Sequence, residues 1–169
     1  MSLRTREPAP HRLGAGAFAF AMALAASDAQ AQGGGVFAGL EGAWSGTGTI
    51  TLSRGTSERI RCRAAYRVAD NGRNLTQNLR CASDSYNFDL RSSVNYDGGA
   101  ISGNWSEATR NATGSISGRA GGGEIQASVR GASFSADLSL ATRGDRQSVS
   151  IRSQGSELSQ VSIVLNRVR

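Results

Sequence analysis

Apolar and polar residues alternate with a period of two along most of the chain after residue 40, and no stretch shows the 3.6-residue period of an amphipathic helix. In the clearest run, residues 59–68, apolar side chains share one face and arginines share the other. Because successive side chains of a β-strand point to opposite faces of a sheet, such runs predict strands with one buried face. The chain contains about ten of them.

Short glycine-containing turns separate these runs. Links of two to about five residues permit antiparallel pairing, whereas parallel strands need a crossover of a dozen or more. A long meander must also protect its two edges, and closing into a barrel removes them. The sequence therefore predicts an all-β fold, an antiparallel up-and-down meander of about ten strands closed into a small barrel. The turns are Arg54-Gly55, Asn71-Gly72, Asp97-Gly98-Gly99, Gly121-Gly122-Gly123, Arg143-Gly144-Asp145 and Gln154-Gly155-Ser156.

One turn and two cysteines define the register of the second and third strands. If Asn71-Gly72 is a two-residue type I′ turn, the numbers of paired residues sum to 143. Cys62 and Cys81 satisfy this sum, so they lie opposite each other on one face, although at a hydrogen-bonded pair, where strands are further apart. In an oxidising compartment such a pair predicts a disulfide, which contributes about 3 kcal/mol in the chain-entropy model.

The first 31 residues have the three parts of a secretory signal peptide. They begin with a positively charged segment, continue with an apolar run over residues 14–26 that is too short to span a bilayer, and end with small residues at Ala29 and Ala31. We expect the mature protein in the periplasm or secreted, and not spanning the membrane. The predicted organisation is a cleavable signal peptide over 1–31, a flexible segment over 32–39 and a single barrel domain over 40–169.

The residue types exclude several chemistries. The only histidine, His11, lies in the predicted signal peptide, and the chain has no lysine. An oxidised domain without these side chains cannot form Ser-His-Asp triads, Cys-His pairs, Schiff-base lysines or His-ligated zinc sites. Asp89 and Asp137 fall on the polar phase of their strands, and no calcium-loop spacing occurs. We therefore expect a protein that is not an enzyme, with no catalytic residue, metal or cofactor.

Arginine supplies all the positive charge of the barrel domain. The chain has 19 arginines and a net charge of +6, and 16 arginines against 11 acidic residues follow residue 31. Arg59, Arg61, Arg63 and Arg67 share the polar face of one strand. This basic stripe suits anionic glycan or lipid, and the alternative is a solvated face that prevents edge pairing. Nucleic acid is not an expected partner, because no exposed aromatic side chains interleave with the arginines.

The aromatic side chains are few and fall on the apolar phase. Many of their neighbours on that phase are glycine or alanine, which indicates either tight packing or an unfilled lumen lined by aromatic rings. The cavity candidates are Trp44, Tyr66, Tyr86, Phe88, Tyr96, Trp105 and Phe134.

Residues 40–46 begin the first strand with the motif Gly42-Ala43-Trp44. This Gly-x-Trp resembles the start of calycin barrels, such as lipocalins and fatty-acid-binding proteins. The resemblance implies that Trp44 packs at the closed end and that an apolar ligand enters the other end. The sequence shows no obvious N-terminal 3₁₀ plug or C-terminal helix. The motif is also similar to small periplasmic protease-inhibitor barrels, and the whole chain resembles exported proteins of rhizobial-type bacteria.

The leading hypothesis is an exported, non-enzymatic and monomeric barrel that binds a small apolar or amphipathic ligand. The alternative is a cell-envelope module whose arginine-rich outer face docks on anionic glycan, lipid or a partner protein, with a protease as one such partner. Whether the barrel is hollow or filled separates the two hypotheses.

Overall fold

The computed structural model describes residues 34–169, and the predicted signal peptide lies outside the described residues. A 3₁₀ turn, Ala38–Leu40, precedes the first strand, and a second, Asp70–Gly72, joins the second and third strands. These helical turns are single, so no described helix could span a bilayer. The strands are β1 Gly42–Leu52, β2 Ser57–Ala69, β3 Asn74–Ala82, β4 Asn87–Asp97, β5 Ala100–Glu107, β6 Ala112–Gly121, β7 Glu124–Gly131, β8 Ser135–Arg143, β9 Arg146–Gln154 and β10 Leu158–Arg167.

The ten strands form one closed antiparallel barrel in which each strand pairs with its neighbours in the chain. The barrel closes where β1 pairs with β10, so that Trp44 lies opposite Arg167 and Gly46 opposite Leu165. Inward-facing apolar residues alternate with exposed polar ones, most regularly along β2. The predicted fold, an antiparallel ten-stranded barrel with one disulfide, is therefore confirmed.

The β2–β3 hairpin has the predicted register but not the predicted turn. Cys62 pairs with Cys81 and forms the disulfide, with the two Cα atoms 4.1 Å apart. The last pair before the loop is Ala69 with Asn74, so the loop has four residues instead of two. Compared with a two-residue loop, this four-residue loop takes one more residue from each strand, so the pairing partners stay the same. The hydrogen-bonded pairs, which are wide, and the non-hydrogen-bonded pairs, which are narrow, exchange places. The cysteines therefore lie at a narrow pair, where the short Cα separation is expected.

An N-terminal plug, residues 36–40, covers the barrel end at which β1 begins. Phe37 is completely buried, and its backbone N–H donates to the carbonyl oxygen of Gly72 over 3.1 Å. Leu40 is also buried. The expectation that the chain has no N-terminal 3₁₀ plug is therefore wrong. The segment is short and carries only two large apolar side chains that pack inside, so periodicity could not reveal it.

Glycines on the inward phase allow neighbouring strands to approach closely. A Cβ atom at Gly46 or Gly48 would overlap the backbone of β10, and one at Gly103 would overlap the backbone of β4. Gly118 has the same relationship with β7. Glycine within a strand often marks a bend or a close backbone approach. The small inward residues are therefore needed by the strand contacts themselves, which favours tight packing at these positions.

The barrel interior is packed unevenly. The inward residues near the plug are almost fully buried, including Trp44, Tyr66 and Leu165. On the wall formed by β7 to β10, one cross-strand row consists of Ile125, Leu140, Val149 and Ile163, and the next consists of Ala127, Leu138, Ile151 and Val161. Leu138, Ile151 and Val161 of the second row are only half-buried. This wall is apolar but incompletely covered from within.

Candidate functional site

Trp44 is fixed at the plugged end of the barrel. Its indole N–H donates to the carbonyl oxygen of Leu40 over 2.8 Å, and only 1% of the residue is exposed. The guanidinium of Arg167 lies 4.3 Å from the ring centroid on the face of the indole. Arg167 also donates to the carbonyl oxygens of Gly39 and Glu41 and to the carboxylate of Asp145. Trp44 and Arg167 therefore join the plug to the first and last strands.

A cavity of about 420 Å³ opens beside the plug. Its apolar lining comes from two plug residues, Val36 and Leu40, and two inward residues of the barrel, Ile125 and Leu140. Thr142, Asp145, Glu124 and Arg167 supply the polar part of its lining, together with glycines of the plug and turns. This volume lies within the usual range for small-molecule sites, which combine an apolar lining with a few polar groups.

The carboxylates at this cavity are paired with arginines. Hydrogen bonds from Arg169 and then Arg167 lower the pKa of Asp145 against the opposing effect of burial. Glu124 forms an ion pair with Arg143, with 2.6 Å between Oε1 and Nη2. Arg167 already has several partners, so the polar side of the cavity is largely neutral and preorganised. It suits an uncharged polar group, or a single carboxylate that shares the guanidinium of Arg167.

A chain of hydrogen bonds crosses the barrel interior. The hydroxyl of Tyr66 on β2 donates to Oε1 of Gln147 on β9 over 2.8 Å, and Gln147 donates to the hydroxyl of Thr142 over 3.3 Å. On the other side, the hydroxyl of Ser92 donates to Oε1 of Gln77, and Gln77 donates to Tyr66 over 3.5 Å. Gln147 is fully buried, and burial raises the pKa of the Tyr66 phenol. These hydrogen bonds link β2, β3 and β4 to β8 and β9 across the interior.

The opposite end of the barrel carries two aromatic pairs. The rings of Tyr86 and Phe88 stack with centroids 6.3 Å apart, and the guanidinium of Arg110 lies 4.9 Å from the Phe88 centroid. Trp105 and Phe134 form a tilted pair with centroids 5.5 Å apart. Shallow grooves of about 690 and 410 Å³ adjoin this second pair. The grooves are open, and small or polar residues make up most of their lining.

A buried carboxylate holds the β5–β6 turn at the same end. Glu107 accepts hydrogen bonds from the backbone N–H groups of Asp89, Thr109 and Arg110, and from the hydroxyl of Thr109 over 2.6 Å. Burial alone would raise the pKa of Glu107, but these hydrogen bonds outweigh it and hold the pKa at about 2. Both carboxylate oxygens accept hydrogen bonds from the protein's own donors, so Glu107 stabilises the turn.

The structure distributes the predicted aromatic residues among several sites. Trp44 and Tyr66 are buried, and the ring of Tyr96 packs edge-on against Phe37 with centroids 6.3 Å apart. Tyr86 and Phe134 were expected on strands, but each lies in the loop just before one. None of the aromatic candidates lines the 420 Å³ cavity. Ile125 and Leu140 were visible as inward residues, whereas no sequence signal showed that the plug would cover them.

The predicted arginine stripe lies on the barrel exterior. Arg59, Arg61, Arg63 and Arg67 are all exposed on β2, and each alternates with a buried residue. Within residues 34–169, no group of three or more His, Cys, Asp or Glu side chains is arranged to hold a metal ion.

The fold defines the chain as a closed, antiparallel β-barrel of ten strands with one disulfide. No protein-family model and no curated protein matches the chain. The chain is similar to the crystal structure of Rv2717c from M. tuberculosis, with 17% identity, a TM-score of 0.64, and coverage of 78% of this chain and 94% of that chain. It is also similar to the S-type phycobiliprotein lyase CPES from Guillardia theta, with 10% identity, a TM-score of 0.52, and coverage of 79% and 90%.

These comparisons correct one expectation. The chemistry of the side chains led us to expect a protein that is not an enzyme, but one of the barrels with this fold is a phycobiliprotein lyase. The missing histidine, lysine and thiol exclude particular mechanisms, and they do not exclude every reaction that a barrel of this class hosts. At these identities the likeness concerns the fold alone, so the resemblance to rhizobial-type exported proteins stays a prediction.

Proposed function

We propose that this protein is an exported barrel that binds a small apolar or amphipathic molecule in the cavity beside its N-terminal plug. The observation that carries the proposal is the cavity of about 420 Å³, whose floor consists of the inward residues Ile125 and Leu140. The plug residues Val36 and Leu40 cover the same space from the N-terminal side. A ligand that displaces water from this partly covered apolar surface lowers the free energy of the complex.

The wall beneath the cavity supports an apolar ligand that extends into the barrel. Leu140 continues along its cross-strand row into Val149, and the next row contains Leu138 and Ile151. Val149, Leu138 and Ile151 are only half-buried, so a ligand has apolar surface to cover. The polar groups of Thr142 and Asp145 lie on the cavity lining and suit the polar end of an amphipathic molecule.

The test uses a substitution that fills the cavity without disturbing the core. Gly39 lines the cavity, and a Cβ atom there would have no neighbour within 4 Å. Gly39→Trp should therefore occupy the cavity and weaken binding of dodecanoate, measured by calorimetry, at least tenfold. Thr56→Trp is the matched control, because Thr56 is exposed in the β1–β2 loop at the opposite end of the barrel and does not line the cavity. Its affinity for dodecanoate should stay within twofold of wild type.

Three results would contradict this proposal. Equal affinities in the wild type and both variants would place the ligand elsewhere, and a loss of binding on Phe134→Ala would move it to the aromatic grooves. No saturable binding of dodecanoate, of a retinoid or of a tetrapyrrole would overturn ligand binding altogether.

Export is supported by the disulfide between Cys62 and Cys81, because such bonds persist in oxidising compartments. N-terminal sequencing of protein recovered from the periplasm of a bacterial host should begin at Gln32. An Ala31→Arg variant should remain uncleaved, because signal peptidase requires small residues there. Wild-type protein that stays in the cytoplasm with residues 1–31 attached would contradict export.

A further inference from the structure

The outer face of β2 carries a linear stripe of positive charge. The arginine stripe consists of Arg59, Arg61, Arg63 and Arg67, with Ala65 as its one uncharged interruption. Alternate residues of a strand are about 6.8 Å apart, so the stripe extends for about 27 Å along β2. All of its side chains are exposed, whereas the intervening residues from Ile60 to Tyr66 are buried.

No carboxylate within residues 34–169 forms an ion pair with the arginine stripe. Arg63 instead lies directly opposite Arg80 on β3. On β4, the carboxylate of Asp89 is already paired with Arg80 at 3.2 Å. Glu41, just before β1, lies near Arg67, and its carboxylate accepts the backbone N–H of Val68. Like charges directly opposite each other destabilise a sheet, and a bound anion removes that repulsion. The stripe is therefore a basic surface whose arginines have no ion-pair partner among the described residues.

The side chains beside the stripe are hydroxyl and amide groups. On β1, Thr49 lies opposite Arg59 and Thr47 lies opposite Arg61. On β3, Thr76 lies opposite Arg67, and Asn78 lies opposite Ala65, where the stripe is interrupted. These groups both donate and accept hydrogen bonds, which is what sugar hydroxyls require. The surface thus combines a row of cations, to which Arg80 on β3 adds one more, with neutral polar groups on both sides.

The shape and polarity of this surface favour a chain-like ligand over a membrane. Val168 is the one large apolar side chain described as exposed, so the barrel presents no apolar group for insertion into lipid near the stripe. A convex barrel meets a planar bilayer over a small area, whereas a linear polymer can follow the strand. We propose that the arginine stripe binds a linear anionic polysaccharide along the outer face of β2. Guanidinium groups pair with its carboxylates, and the threonine and asparagine side chains contact its hydroxyls.

Polygalacturonate, a linear polyuronate, is the probe for this proposal, and its binding to the wild-type protein is measured by calorimetry at low and high salt. Binding should be saturable in 50 mM NaCl and at least tenfold weaker in 500 mM NaCl, because salt screens exposed charges. Replacing all the arginines of the stripe with serine should weaken binding at least tenfold. The single variant Arg63→Ser should weaken it about threefold while leaving the thermal unfolding midpoint unchanged within a few degrees.

The matched control removes the same charge elsewhere on the outer face. Arg119, Arg130, Arg146 and Arg152 are exposed on β6, β7 and β9, and their combined replacement with serine should change the affinity for polygalacturonate less than twofold. Equal losses in the two variants would show that net charge alone drives binding and would overturn the proposal. Absence of saturable binding to polygalacturonate would overturn it too. So would stripe-dependent binding to phosphatidylglycerol vesicles that exceeds binding to the polysaccharide.

Discussion

Tyr66 and Gln147 meet inside the barrel, where the phenol hydroxyl donates to the amide oxygen over 2.8 Å and joins β2 to β9. The two residues are 81 positions apart in the sequence. Their contact crosses the interior of the barrel and joins two strands that are not neighbours in the sheet. Both residues are buried, so if one side chain is removed, bulk water cannot take its place as the hydrogen-bond partner of the other.

Tyr66→Phe should therefore destabilise the protein by about 1 to 3 kcal/mol, since it leaves the buried Oε1 of Gln147 without this donor. Urea unfolding followed by circular dichroism measures the change. Tyr96→Phe is the matched control, because the Tyr96 hydroxyl has no hydrogen bond among the described residues. It should change the stability by less than about 0.5 kcal/mol. Equal effects of the two substitutions would mean that the cross-barrel hydrogen bond contributes nothing.

The disulfide should account for a large part of the stability. Cys62 and Cys81 are buried, so a reductant reaches them efficiently only after unfolding. Protein reduced in urea and refolded should lose about 3 kcal/mol, and its melting temperature should fall by roughly 10 °C. A variant with both cysteines changed to serine should melt identically with and without reductant. Identical melts of oxidised and reduced wild type would show that the bond is not a stabilising link.

Glu107 should make the stability depend on pH at the acidic end. Its pKa in the folded protein is about 2, below the ordinary value of 4.5, so its contribution is fully present above about pH 4.5. That contribution, of about 3 kcal/mol, should be lost as the pH falls from 4.5 towards 2. Urea unfolding between pH 7 and pH 2 measures it.

Two variants separate this carboxylate from the others. Glu107→Gln should lower the stability at pH 7 and flatten the acidic part of the curve. Glu124→Gln removes an exposed ion pair with Arg143 and should leave the curve nearly unchanged. If the stability of the wild type and of Glu107→Gln falls in parallel down to pH 2, Glu107 is not the source of the acidic loss of stability.

The inward glycine at position 48 should not tolerate a side chain. A Cβ atom there would overlap the backbone of β10 at Ser162 and Ile163, and backbone cannot rotate away as a side chain does. Gly48→Ala should destabilise the barrel by about 3 kcal/mol. Gly121→Ala is the control, since a Cβ atom at Gly121 would have no neighbour within 4 Å. Thermal melts of both variants give the comparison, and equal midpoints would contradict the close approach of β1 and β10.

The sequence by itself determined the features that depend on neighbouring residues. Alternation with a period of two and short turns predicted ten antiparallel strands, and the position of the Asn71-Gly72 turn predicted that Cys62 pairs with Cys81. The exterior position of the arginine stripe follows from the same alternation. These predictions succeed because pairing in a hairpin is set by the turn and by side-chain phase, both of which are local properties.

Tertiary structure decided what the barrel interior contains. Closure brings Trp44 opposite Arg167, and the plug covers Ile125 and Leu140, so the cavity is built from segments that are far apart in the chain. Alternation indicates that a side chain points inward, but it does not indicate what lies across the lumen. Whether an inward residue is packed, hydrogen-bonded or left half-covered depends on the strand tilt, the stagger and the side chain that arrives from the opposite wall.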